Sequence, residues 1–534
     1  MCGNLPHFAP VARAKPRNGH AVRKRSSRNP RILIVTPEIT YLPPGMGNMA
    51  NKMTAKAGGL ADVSASLVSA LFELGADVHV ALPYYRKMFH MDVGNLVERE
   101  LLVYKSVLPE SRIHLAHDRL FYYRDRVYSG DDQVNPRISL AFQREVINNI
   151  IPVVQPDLVH ANDWMTGLVP AAARAMGIRS LFTVHNIHTR QLTLPQIEDF
   201  GIDAAEFWNE LYYTSMPGNY EYTRGCGIPV DLLASGIFAA HHINTVSPAF
   251  LDEVVRGEHA FVPPQIRQEI RAKAAAGCAE GILNAPDANN NPSTDDALPF
   301  RYDAETHVPG KLAAKRMLQE ELGLDRDDRA TVLFWPSRLD PVQKGCSLFS
   351  DILYDVIHRY WDRDLQVVVV ANGAYQGVFR NIADFHGIHN RLAVADFNEP
   401  LSRLAYAGSD FVLMPSLFEP CGLPQMVGAL YGSLPVVRDT GGLHDCVRMI
   451  DPQAGTGNGV VFRDYDAPAL SWAIDRAMDF MALPASVRER NIARVMSDAA
   501  ARFNHAVCAK AYIALYEKML NRPLVARGSA GTAK

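Results

Sequence analysis

The chain has 534 residues, 48% of them hydrophobic and 21% charged, with 54 basic and 57 acidic side chains and a formal net charge of -3. That length exceeds what one core sustains, so two or more domains are expected, in a composition ordinary for a globular protein. The near-balance of charge excludes the strong field of a nucleic-acid or membrane-surface binder, and no apolar run reaches the ~18 residues that span a bilayer.

The first 30 residues carry Arg13, Lys15, Arg17, Arg23, Lys24, Arg25 and Arg28, with no acid before Glu38. They lack the apolar core of a secretory signal. They also lack the amphipathic pattern of an organellar transit peptide, so they read as a disordered basic tail. "RILIVTPE" (31–38) is then a short, continuously apolar run, the mark of a buried strand. Val63, Leu67, Ala70, Leu71 and Leu74 recur at helical spacing, Gly75 caps that helix, and "GADVHVALPYY" (75–85) holds the next strand. This is a β-loop-α-β unit, the building block of a parallel sheet.

"PDLVHAND" (156–163), "RSLFTVHN" (179–186) and "HHINTVSP" (241–248) read as further strands that each run into polar residues. In open α/β sheets ligands bind beyond the carboxyl ends of the strands, so those polar residues are site candidates. "NAPDANNNPSTDDALPF" (284–300) is too rich in Asn, Asp and Pro for regular structure. A second series of strands follows in "ATVLFWPSRLD" (330–340), "LQVVVVANG" (365–373), "NRLAVADFN" (390–398), "SDFVLMPS" (409–416), "SLPVVRDTGG" (433–442) and "NGVVF" (458–462). A helical stretch over about 485–520 closes the chain. Two doubly wound α/β domains facing each other across a cleft are expected.

The candidate chemistry sits in the loops. In "TAKAGGLADV" (54–63), Lys56 and Gly58-Gly59 stand at the mouth of the first helix, where a cation and bare backbone suit an anion. The bland alternative is a turn with a stray lysine. In the first domain, His160, Asp163 and Trp164 lie in "HANDW" and His185 and Asn186 in "TVHN". A histidine at a strand end is more often structural, but two at successive strand ends, each beside an Asn or Asp, weigh equally for function.

In "RLDPVQKG" (338–345), Arg338 and Lys344 follow a strand directly and together suit a diphosphate; two solvated cations are the alternative. Glu419 follows the strand in "FVLMPS", placed to accept sugar hydroxyls. Cys421, Gly422 and Leu423 then open a helix, and the cysteine reads as a packing residue because no base lies nearby in sequence. "RDTGGLHD" (438–445), with Thr440, Gly441 and Gly442, repeats the Gly-Gly entrance.

Other patterns are decoys. The glycines of "GMGNMANKMT" (45–54) do not open a helix, and both "DRD" triplets, 325–327 and 362–364, precede strands and so lie at the wrong end of a sheet. Seven cysteines without a CxxC pair suit a reducing cytosol, and a cytoplasmic enzyme is expected. No metal site and no cofactor are indicated.

These blocks resemble the bacterial glycogen synthase and plant starch synthase family, retaining glucosyltransferases of the GT-B fold, over about residues 31–520. The family pattern KxGGLxDV is met by "KAGGLADV", HxHDW by "HANDW", TVHN and TVSP by the same letters, and RLxxQKG by "RLDPVQKG". PSxFEPCGLxQ appears as "PSLFEPCGLPQ" and YGxxPVVRxTGGLxD as "YGSLPVVRDTGGLHD". The resemblance implies transfer of glucose from a nucleotide sugar, usually ADP-glucose, to the 4-hydroxyl at the non-reducing end of an α-1,4-glucan. It leaves open a relative that uses UDP-glucose and a small sugar acceptor.

By the same resemblance, Lys56 with Gly58-Gly59 would meet the donor phosphates or the acceptor. Asp163, His185 and Asn186 would hold the glucosyl unit, and Arg338 and Lys344 would neutralise the leaving diphosphate. Glu419 would bind sugar hydroxyls beside Cys421, Gly422, Leu423 and the 440–442 turn. The expected division is a basic tail over 1–30, a Rossmann-like acceptor domain over 31–308, and a Rossmann-like nucleotide-sugar domain over 309–490. A C-terminal helix and tail, 491–534, would pack back toward the first domain.

The chain departs from the family at named places. "RLDPVQKG" has one extra residue, Asn162 stands where the family often has His, "IHTRQLTL" replaces an aromatic-Gln-Gly, and 212–227 looks inserted.

Overall fold

In a computed structural model, residues 28–43, 45–47, 53–89, 112–131, 133–298 and 300–525 are described. The basic tail expected over 1–30 lies outside them except for its last three residues, as does the end of the chain after 525.

Two parallel sheets organise the molecule. The first contains β1 (Arg31–Val35), β2 (Asp77–Pro83), β3 (Ile113–Ala116), β4 (Leu158–Asn162), β5 (Arg179–Val184), β8 (His242–Thr245) and β9 (Ala279–Gly281). Their order is β3-β2-β1-β4-β5-β8-β9, every neighbour parallel. A two-residue ribbon, β6 (Gln191–Leu192) with β7 (Val230–Asp231), stands apart and is antiparallel. The second sheet contains β10 (Val332–Trp335), β11 (Gln366–Val370), β12 (Leu392–Ala395), β13 (Phe411–Met414), β14 (Leu434–Arg438) and β15 (Val460–Phe462), in the order β12-β11-β10-β13-β14-β15.

Apolar runs such as "ILIV" in β1 and "VVVV" in β11 are buried throughout, because helices cover both faces of a parallel sheet. Each sheet reverses its strand order once, between β1 and β4 and between β10 and β13. The crevice beyond the strand ends at such a reversal is where an open α/β sheet binds ligands. It receives Glu38, Asn162 and Asp163 in one domain, and Arg338, Ser416 and Glu419 in the other.

The helix after β1 spans Gly59–Glu73, with Val63, Leu67 and Leu71 buried. Leu74, assigned to the same face, is the exposed C-cap, and Gly75 follows at φ +78 in the left-handed turn that favours glycine. Three expectations need amendment. β3 was not read because its four residues form too short a run. β9, Ala-Glu-Gly, has no apolar run and exists by pairing with β8. The closing helical stretch is two helices, Ala485–Arg502 and His505–Leu520. Asn504 breaks it by accepting the Val507 N–H as an N-cap. Phe503 is buried in the second core, whereas Tyr512, Leu515 and Tyr516 are buried in the first.

Candidate functional site

Glu38, just past β1, organises the first Gly-Gly entrance. Its Oε2 accepts the N–H groups of Ala57 (2.8 Å) and Gly58 (2.9 Å), and its Oε1 accepts the Tyr128 hydroxyl. Burial raises its carboxyl above the usual range, against those hydrogen bonds. Lys56 is partly exposed, with its Nζ 3.0 Å from Oδ2 of Asp62 in the first turn of the helix, and Thr40 donates to Oδ1 of the same carboxylate. The entrance expected to await an anion is thus already occupied in part by a carboxyl of the protein's own, while the Gly59 N–H has no acceptor among the described residues.

At the end of β4, Asp163 adopts φ 57, which non-glycine residues avoid. Its Oδ1 accepts the His185 N–H (2.7 Å) and its Oδ2 accepts the Asn186 side-chain amide (2.9 Å). Both oxygens thus hold the end of β5 in place, and burial pushes the carboxyl up to about 7. Asn162 donates to the Val35 carbonyl, which turns its Oδ1 toward His185 Nε2 at 2.9 Å. His185 therefore carries its proton on Nε2, with Nδ1 left as an acceptor. Burial lowers its pKa to about 3, so the ring is neutral.

His160 belongs to the packing. Its Nδ1 accepts the Tyr516 hydroxyl and its Nε2 meets Thr183 Oγ1 (2.6 Å), tying the last helix to the sheet. Of the two histidines, for which structural and functional readings weigh evenly in the sequence, only His185 stands among the strand-end polar groups.

In the second domain, Asp340 Oδ1 accepts the N–H groups of Val342 and Gln343. The extra residue in "RLDPVQKG" is absorbed in this turn, and Lys344 still reaches Glu419, Nζ to Oε2, at 2.5 Å in a largely buried pair. Ser416 donates to the same oxygen, while Glu419 Oε1 has no hydrogen bond among the described residues. Gly345 has φ +77, and a Cβ there would stand 2.2 Å from the Pro415 carbonyl, so glycine is required between the two loops. Arg338 is exposed, and its guanidinium has no partner among the described residues.

Cys421 is buried, and burial pushes its thiol well up, which suits packing rather than attack. Gln425, which the sequence reading assigned no role, donates to the carbonyls of Cys421 and Gly422 and so shapes this turn. The helix begins only at Pro424, and the N–H groups of Gly422 and Leu423 have no acceptor among the described residues. Both are open donors at this turn. Across the cleft, Leu423 Cδ1 lies 3.3 Å from where a Cβ on Gly59 would stand. The Lys56-Gly58-Gly59 turn and the 419–423 turn thus meet face to face.

The second Gly-Gly entrance is closed. Gly441 N–H donates to Glu253 Oε1 (2.7 Å), Thr440 Oγ1 to Glu253 Oε2, and Gly442 N–H to the Glu419 carbonyl. Glu38 was visible in "RILIVTPE" as the polar end of a strand. Asp62 and Gln425 were visible only as fixed letters of KxGGLxDV and PSxFEPCGLxQ, and Glu253 carried no signal.

A two-domain fold with cations, a carboxylate and open N–H groups at facing strand ends suits a ligand that carries both anionic groups and hydroxyls. The model for the starch synthase catalytic domain matches residues 31–263, and that for glycosyl transferases group 1 matches 330–479. The chain is 32% identical to glycogen synthase of Bacillus subtilis (strain 168), covering 80% of this chain and 88% of the relative. It is likewise 32% identical to glycogen synthase of Thermotoga maritima, with 87% and 96% covered.

Among solved structures it is similar to the catalytic domain of starch synthase IV from Arabidopsis thaliana bound to ADP and acarbose (25% identity, TM-score 0.72, 93% of this chain and all of that one). Sucrose-phosphate synthase from Thermosynechococcus elongatus, at 16% identity and TM-score 0.55, shares the fold alone. The chain belongs to the glycogen synthase family and is a glycosyltransferase of glycogen or starch synthesis. Among the described residues, no helix is long and apolar enough to cross a membrane.

Proposed function

We propose that this chain is a cytoplasmic glycogen synthase that moves glucose from ADP-glucose to the 4-hydroxyl at the non-reducing end of an α-1,4-glucan, with retention at the anomeric carbon. The observation that carries this reading is the Lys344–Glu419 pair beside the open N–H groups of Gly422 and Leu423, set against Gly59 of the other domain. In the reaction, the bond from C1 to the diphosphate oxygen breaks and one from C1 to the acceptor O4 forms. The hydroxyl proton leaves with the diphosphate. Negative charge grows on the leaving group while the sugar becomes cationic.

Arg338, Lys344 and the two N–H groups are preorganised donors for that charge. Lys344 is already balanced by Glu419, so the exposed Arg338 supplies the uncompensated cation. Glu419 Oε1 accepts a sugar hydroxyl. The neutral His185 and Asn186 bound the sugar from the first domain, with Asp163 holding both in place. Lys56 faces the cleft as a charge balanced by Asp62. Closure of the two turns excludes the water that would divert transfer to hydrolysis. The ADP of the Arabidopsis relative supports the choice of donor base.

The test pairs ADP-, UDP- and GDP-glucose with glycogen, maltose or fructose and measures nucleotide release and product. ADP release that depends on glycogen and lengthens its chains is expected. Acceptor-independent release, or response to a small sugar only, overturns the assignment.

A further inference from the structure

The two domains grip each other through a reciprocal pair of helix caps. The helix Pro248–Arg256 is built into the first core through Phe250, Leu251 and Val254, and the helix Gly441–Cys446 into the second through Leu443 and Cys446. Glu253, on the first of these, accepts the Gly441 N–H and the Thr440 hydroxyl at the start of the second. Asp445, on the second, accepts the Ala249 N–H (3.0 Å) and the Ser247 hydroxyl (2.5 Å) at the start of the first. Each helix thus supplies the carboxylate that satisfies the other's free N–H groups and opposes its dipole.

This grip is continuous with the Glu419 turn. Gly442 N–H donates to the Glu419 carbonyl at 2.9 Å. Cβ atoms placed on Gly441 and Gly442 would stand 2.0 Å from the Glu419 carbonyl oxygen and 1.9 Å from that of Cys421. The backbones of 419–421 and 441–442 therefore lie in direct contact and must move together. Next to Glu419, the Phe418 ring stacks on Phe261 of the first domain at 3.7 Å between centroids. His259, between these groups, donates at 2.7 Å to Glu253 Oε2, the oxygen that also accepts the Thr440 hydroxyl.

We infer that Glu253 is a positioning residue for transfer: from the first domain it fixes the 440–442 turn, and through Gly442 the backbone that carries Glu419. The catalytic part of this inference rests on the transferase reading above, whereas the structural part does not. The consequence is that the placement of Glu419 against Lys344 depends on a carboxylate that touches neither substrate nor cation. Displacing a reacting group by about an ångström from a remote position costs on the order of 10²-fold in rate.

The test uses the full-length protein. Hydrogen exchange at the Leu417 amide, bonded to the Gln343 carbonyl, and at amides 441–443 is compared in wild type, Glu253→Ala and Glu253→Gln, with the amides of β1 and β4 as the control for folding. Alanine is expected to speed exchange about tenfold at both places, as the loss of a cap does, while the control stays protected. Glutamine retains an oxygen for the Gly441 N–H and is expected to restore slow exchange. With ADP-glucose and glycogen, alanine lowers kcat by about 10²-fold at little-changed KM for glycogen, and glutamine recovers most of the rate.

If alanine loses the control protection, Glu253→Asp, one methylene shorter, is judged by the same criterion. Unchanged exchange at the Leu417 amide in a folded variant overturns the positioning, whatever the activity. A wild type inactive with every nucleotide sugar overturns the transferase reading and leaves the exchange result to decide the structural coupling.

Discussion

Gly58-Gly59 and Gly441-Gly442 each follow a strand and open a helix, and each entrance is filled by a buried glutamate of the first domain, Glu38 or Glu253. Beyond that the two differ. Nothing lies within 4 Å of a Cβ on Gly58, and one on Gly59 would meet only the flexible end of Leu423. At Gly441 and Gly442, backbone carbonyls occupy the space that a Cβ would need. The first pair leaves room at the cleft, whereas the second lets two loops touch. A Gly-Gly helix entrance is therefore not by itself an anion site. What decides is which group reaches the N–H donors: Glu38 takes Ala57 and Gly58, Glu253 and the Glu419 carbonyl take Gly441 and Gly442, and the N–H groups of Gly59, Gly422 and Leu423 have no acceptor among the described residues.

The largest expected effect separates the pairs by stability. Gly442→Ala drives a methyl into the Cys421 carbonyl and is expected to cost about 3 kcal/mol or more, while Gly58→Ala stays within about 1 kcal/mol of wild type in thermal or denaturant unfolding. Equal losses would break the comparison. Next, Lys344→Ala leaves Glu419 buried without its cation. About 3 kcal/mol of stability is expected to go, together with 10²–10³-fold in transfer rate, which unfolding and steady-state kinetics read separately. Arg338→Ala, at an exposed side chain without a partner, is expected to lose rate with unfolding unchanged.

Lys56→Ala is expected to lose most of the rate while remaining folded, since Asp62 keeps its hydrogen bond from Thr40. Near-normal kinetics would remove Lys56 from the reaction.

The smallest effect distinguishes the two filling glutamates by pH. Burial holds Glu38 above the ordinary glutamate value of 4.5. The folded protein binds this proton more tightly than the unfolded chain, so stability is lost as pH rises from 4.5 through the folded value. Glu253 is opposite in sign. Burial would raise it, but hydrogen bonds from His259 and the Gly441 N–H hold it below its usual value. Its contribution is complete above 4.5 and is lost as pH falls through the folded value. Relative to wild type, Glu38→Gln should gain melting temperature as pH rises above 4.5. Glu253→Gln should be penalised above 4.5 and relieved below it. Parallel pH trends would show that the two entrances are electrostatically alike.

Much of the fold was legible because buried parallel strands are continuous apolar runs and the helices between them keep a period. β1, β2, β4, β5 and β8, and all six strands of the second sheet, follow their quoted segments. β9 and the break at Asn504 were not legible, since one depends on a neighbouring strand and the other on which core receives Phe503 and Tyr512. For the site, the sequence by itself determined the residue types and the strand ends that bear them: Lys56, Asp163, His185, Arg338, Lys344 and Glu419. Tertiary structure alone decided how they are committed. Asp163 is spent on holding 185–186, Lys344 on Glu419, and the 441–442 N–H groups on Glu253 and the Glu419 carbonyl. The physical reason is that a motif specifies donors and acceptors, whereas their partners come from distant segments, 188 residues away for Glu253 and Gly441 and 356 for His160 and Tyr516.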